Sequence, residues 1–281
     1  MFQRTLSLLA ALLLSGCSLF GEDADPALWV VKDADTTIYL FGTVHVLKPG
    51  TRWFNDGVRD AFDASDEVVT EIARPDPAAI TALASRLGTR GGPPFDPAVD
   101  RAARELGMPD GAIDRMEPWL AAMTLARLAA AKAGYGADEG VEARLHDAAE
   151  RADKKVAALE TAEGQLRLFD GLSGAAQSAM LDATVRELPD TGKRLASFAA
   201  AWGAGDAESV GAEMNREAAA SPEIAQALVT GRNRRFAEWI ARRMRQPGTV
   251  FVAIGAGHLA GRQSVQAMLA ERGMRVERVA Y

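Results

Sequence analysis

Cysteine is almost missing from this chain: one residue, Cys17, in 281. A lone thiol cannot close an internal disulfide, so the fold has only its own core to hold it. Histidine is nearly as scarce, with three residues. Positive charge is not in excess. The 32 Lys and Arg face 38 Asp and Glu, and a formal charge of −6 argues against a nucleic-acid partner, which wants a basic face. Beyond the first residues no apolar run is long enough to cross a bilayer. No HExxH occurs, so a metalloprotease reading cannot rest on that helix signature.

What is present starts at the N-terminus. Arg4 precedes "LSLLAALLL", residues 6–14, which is apolar but too short for a stable membrane anchor. That is the build of a secretory signal peptide. "LSGC", residues 14–17, resembles a bacterial lipobox, with cleavage before Cys17 and lipid placed on its thiol. The expected layout is a signal peptide over 1–16, a lipidated tether over 17–27 and one domain over 28–281. The chain is then an exported lipoprotein facing the periplasm, on the outer membrane more than the inner. Stable anchoring needs two acyl groups or more.

The pattern along the domain is α+β. "LWVVKD" (28–33) and "IYLFGTVHV" (38–46) read as a β-hairpin. A helix follows over 55–66 with Asn55 as its cap, then a strand, "EVVTEI", over 67–72. Asp76 caps the next helix with Pro77 at its first turn. Alanine-rich, helical sequence fills most of 78–155 and 173–245, interrupted by a short strand "KVAALE" at 155–160. A buried strand over 248–261 and a last strand over 274–281 flank a helix, a unit that is usually parallel. Two small sheets under a large helical cover are expected.

Two of the three histidines end look-alike segments. "FGTVH" places Gly42 three residues before His45, and "IGAGH" places Gly255 three before His258. Random usage gives a histidine such a glycine about one time in eleven. A buried strand delivers its next side chain to the rim of the sheet, where ligands gather, and glycine lets the backbone turn there. His146 lies mid-helix among charged neighbours and is set aside. Glu71 ends an apolar strand, where a carboxylate needs a cation or a metal. Two histidines and a glutamate are the ligand set of several catalytic metal sites, with Glu71 either a ligand or the base for a bound water. Arg232 in "GRNRR" either lies on a solvated arginine face or reaches the site to orient Glu71 or hold an oxyanion. Asp138 and Glu160 either fix a histidine tautomer or serve as helix caps.

Taken in order, "IYLFGTVHVL", "VVTEI", "YGADEGVEARLHDAAERADKKVAALETAEGQL", "GRNRRFAEWI" and "VFVAIGAGHLAGRQSVQAMLAERGMRV" resemble the TraB/GumN family, which includes the Tiki-type proteins that cleave Wnt. The resemblance runs from about residue 28 to 281. It implies an architecture similar to the erythromycin-esterase and ChaN-like proteins. It implies a divalent metal, manganese or cobalt in the Tiki branch with zinc also possible, and for that branch hydrolysis of peptide bonds. It carries over His45, Glu71 and His258 as metal and catalytic residues, and Arg232, Asn233, Asp138 and Glu160 with them. A non-catalytic envelope protein that binds haem, metal or a protein partner through the same site is the alternative.

Overall fold

The computed structural model describes residues 23–74, 76–219 and 221–281, the side chains of 214–219 excepted. The expected signal peptide, Cys17 and the tether up to residue 22 lie outside the described residues. No described helix is long and apolar enough to cross a membrane.

The expected hairpin is present: β1 (Leu28–Lys32) and β2 (Thr36–Thr43) pair antiparallel, Leu28 opposite Phe41. Helix α1 (Asp56–Asp63) follows, then β3 (Glu67–Ile72). Asn55 stands at the N-cap position of α1, but its side chain makes no capping bond; its amide nitrogen donates to Ala24 O and Asp25 Oδ1. Asp76 does cap α2 (Pro77–Gly88), accepting from Ala78 N. Then come α3 (Pro97–Glu105), α4 (Pro118–Lys132), α5 (Val141–Arg151) and β4 (Lys155–Glu160). Helices α6 (Ala162–Asp170), α7 (Gly174–Glu187), α8 (Thr191–Gly203) and α9 (Ala207–Ala219) lead to α10 (Pro222–Ile224) and α11 (Gly231–Arg243). The chain closes with β5 (Gly248–Gly255), α12 (Val265–Ala270) and β6 (Val276–Arg278).

Among the described residues six strands form one mixed sheet, ordered β4-β3-β5-β2-β1-β6, where two small sheets were expected. Strands from both chain ends join because β5 inserts between β2 and β3 and is parallel to each. β4, β3, β5 and β2 therefore all point the same way, and their carboxyl ends share one edge. Only β1 runs against them. β6 is parallel in direction to β5 but hydrogen-bonds to β1, antiparallel, two strands away. β5 stops at Gly255 rather than 261, and the N–H of Gly255 turns to Glu71. His258 then lies in a 3₁₀ turn, Ala256–Leu259.

Alternation along the strands gives the sheet two apolar faces. One face, with Phe41, Val68 and Phe251, packs on Phe62 of α1, Leu145 of α5, Trp53 and Trp202. The other, with Leu40, Val69, Val252 and Ile254, packs on Phe236 and Ile240 of α11 and Leu269 of α12. The helical middle does more than cover the sheet. Val99, Ala103, Ala121, Leu125 and Leu181 give α3, α4 and α7 an apolar cluster of their own.

Candidate functional site

Topology brings the site together. Glu71 is the last residue but one of β3, Glu160 ends β4, Gly255 ends β5, and His45 follows β2 by two residues. All four lie at the shared carboxyl edge, the place where open α/β sheets bind ligands. Helix α11 supplies the rest. It is preceded by a π-helical stretch, Ala225–Thr230, a wide turn found mostly at functional sites. The next turn buries Arg232 and Asn233.

Arg232, 8% exposed, joins three partners. Its Nη2 donates to Glu71 Oε2 (2.5 Å) and to Glu160 Oε2 (2.8 Å), and its Nε donates to Glu160 Oε2 (3.0 Å). Its Nη1 lies 3.0 Å from His258 Nε2. Glu71 Oε2 also accepts from Gln165 Nε2 (3.1 Å), and Glu71 Oε1 accepts from Gly255 N (2.7 Å). A Cβ on Gly255 would stand 3.2 Å from that carboxylate oxygen, so glycine leaves room for it. Arg235 adds a second cation to Glu160 (2.9 Å).

The tautomer of His258 follows from its neighbours. A guanidinium can only donate, so Nε2 is the acceptor and the ring proton sits on Nδ1. Nδ1 meets Asn233 Oδ1 at 2.5 Å, and the Asn233 amide nitrogen donates to Gln263 O (2.6 Å), which fixes that amide. Burial, reinforced by the Arg232 charge and opposed by Glu71, lowers the His258 pKa to about 4, so the ring is neutral at pH 7. For Glu71, burial alone would raise the pKa. Arg232 first, then His258, His45 and the Gly255 N–H, outweigh it and hold the carboxyl at about 2.

His45 stands apart from this unit. Its ring is 74% exposed, with Nδ1 2.7 Å from Glu142 Oε1, which also accepts from Thr43 Oγ1 (2.6 Å). Glu142 raises the His45 pKa to about 9, although so open a ring leaves the pair screened by solvent. His45 reaches the same edge through the parallel pairing of β2 with β5, in which Thr43 lies opposite Gly255. Glu160 holds Arg232 and Arg235, and Asn233 is the group that meets a histidine nitrogen. Asp138 is exposed in its turn. Gly42 packs its Cα side against Ala256, and its carbonyl accepts from Trp202 Nε1 (2.8 Å). His146 is buried on the inward side of α5 with Leu145 and Ala149, and burial lowers its pKa.

A shared divalent ion does not fit this arrangement. Glu71 Oε2 and His258 Nε2, which such an ion would need, both face the Arg232 guanidinium. Among the described residues no three His, Cys, Asp or Glu side chains gather as a metal-binding group. Glu142 and Gln165 escaped the sequence reading. A glutamate in a first helical turn and a glutamine four residues after a threonine cap both read as ordinary helix starts.

The molecule is thus an α+β protein with a polar site at the carboxyl edge of a mixed sheet. The TraB/PrgY/gumN family pattern matches residues 27–278, nearly the whole described chain, and the protein belongs to that family. It is also similar to an uncharacterised protein of Treponema pallidum (strain Nichols), 24% identical over 295 aligned positions that cover 92% of this chain and 87% of that one. No solved structure matches it.

Proposed function

We propose that this protein is a hydrolase of the bacterial envelope, held to a membrane by lipid on Cys17 and acting on peptide bonds. The observation that carries the reading is the pairing at one sheet edge of two chemically different groups. One is a solvent-facing histidine backed by a carboxylate, His45 with Glu142. The other is a buried guanidinium, Arg232, fixed by Glu71 and Glu160. The first is suited to carry a proton to or from water or a leaving group. Five N–H bonds leave a guanidinium. Glu160, Glu71 and His258 take four of them, and among the described residues one Nη1–H is left for a carbonyl oxygen that gains charge. Glu71 acts through Arg232 and Gly255 by holding them in place.

The test is cleavage of a mixed peptide library by the purified full chain, read by mass spectrometry. Wild type is expected to cut. His45→Gln and Arg232→Lys are expected to lose about 100-fold or more, the usual scale for a proton-transfer group or an oxyanion donor. Chelation, followed by Mn²⁺ or Co²⁺, separates a reaction run by these side chains from one in which Arg232 yields its place to a cation. The alternative, a binding protein without turnover, is favoured by one observation: both Glu71 oxygens and both His258 nitrogens already have partners. An intact fold with no cleavage of any library member would decide for it.

A further inference from the structure

We infer that Glu142 is the positioning residue of His45, holding the ring so that Nε2 faces the mouth of the site. The inference rests on the hydrolase reading for its kinetic consequence alone; its geometry stands without it. An ionised carboxylate only accepts, so the short contact to Glu142 Oε1 places a proton on His45 Nδ1. Among the described residues no group takes Nε2, which is left to solvent and substrate.

This pair differs from the surface ion pairs elsewhere on the molecule, such as Arg74 with Asp147, where both side chains are half exposed. Glu142 is 24% exposed and receives a second hydrogen bond from the buried hydroxyl of Thr43. It sits in the first turn of α5, where the helix dipole favours a carboxylate. The two segments that carry the pair are also clamped by backbone. Val141 N donates to Val44 O (3.0 Å), Gly136 N to Leu47 O (3.0 Å), and Leu47 N to Gly136 O (3.3 Å). A Cβ on Gly140 would run into the His45 carbonyl oxygen, so glycine permits the close approach. Thr43, Gly140 and Glu142 thus build one bracket around His45. The carboxylate partner of a working histidine fixes which ring nitrogen carries the proton and shifts its basicity.

The full chain in detergent, labelled with ¹⁵N at histidine only, tests this directly, since three histidines give three imidazole patterns. His45→Gln and His146→Gln assign them. The expected spectrum shows a hydrogen-bonded, downfield proton on His45 Nδ1. Glu142→Ala is expected to abolish it. Glu142→Gln, whose amide oxygen still accepts, is expected to keep it, and the His258 signals report that both variants remain folded. If Glu142→Ala does not fold, Thr43→Val serves in its place and is expected to weaken the same proton signal. With any peptide that wild type cleaves, Glu142→Ala should lower kcat about 10- to 100-fold with KM within about twofold, and Glu142→Gln should recover part of it. A His45 Nδ1 without a bonded proton in wild type, or one unchanged by Glu142→Ala, overturns the inference. If no peptide is cleaved, the hydrolase reading falls and the imidazole spectra still decide the role of Glu142.

Discussion

Arg232 gathers two buried carboxylates and a histidine on one guanidinium, and its loss is therefore expensive. Arg232→Met strands Glu71 without its buried cation and leaves Glu160 with Arg235 alone. It is expected to cost about 3–5 kcal/mol at pH 7 by urea denaturation, with part of the loss recovered near pH 4.5 as the carboxylates take protons. Asn233→Leu leaves the His258 Nδ1–H and the Gln263 carbonyl unpaired, and the same measurement should read a loss of about 2–3 kcal/mol. His45, Glu71 and His258 were legible as candidates because rare or costly residues stood at the ends of apolar runs. Which of them meet was not legible. Glu71 and His258 share one guanidinium, while His45 turns to Glu142, and that division depends on how strand ends align across more than two hundred residues. Gln165 was hidden for a similar reason: nothing in "ETAEGQL" says that the glutamine reaches back to Glu71 rather than to its own helix cap.

At the scale of elements, the parallel pairing of β2 with β5 does most to build the site. Thr43 pairs with Gly255 and Gly42 with Ile254, so the two glycine–histidine segments are offset by one residue and not equivalent. The sequence shows the segments as a repeat because the pattern of letters is the same. The offset sends one histidine to an open loop and the other into a buried 3₁₀ turn. Strand bounds were readable where period and punctuation agree, as in β3 and β4. The sheet count was not, because nothing local says that β5 inserts between β2 and β3. Nor did local pattern mark the π-helical stretch before Arg232, since apolar spacing over 224–240 suits a continuous helix. The separate apolar cluster of α3, α4 and α7 has its own consequence. Leu125→Ala should destabilise these helices by about 2–5 kcal/mol, and hydrogen exchange should show the loss there before it reaches β2, β3 and β5.

For the whole molecule, the site makes stability depend on acidity. His258 has a pKa of about 4 in the fold against 6.5 free, so its contribution is complete above pH 6.5 and is lost as pH falls through 4. Glu71, at about 2 against 4.5, adds a contribution that is complete above pH 4.5 and is lost toward pH 2. His45 works the other way, with a small screened contribution that is lost as pH rises through about 9. The melting temperature is therefore expected to fall steadily below pH 6.5, and calorimetry from pH 8 to 4 checks it. Strands β3 and β5 and helix α11 assemble one buried unit in which His258 is neutral between Arg232 and Asn233. Titration of the His258 imidazole by ¹⁵N spectroscopy tests this most directly. The predicted result is an Nδ1–H ring that stays neutral down to about pH 4. A midpoint near the free value of about 6.5, or a proton on Nε2 instead of Nδ1, would contradict it.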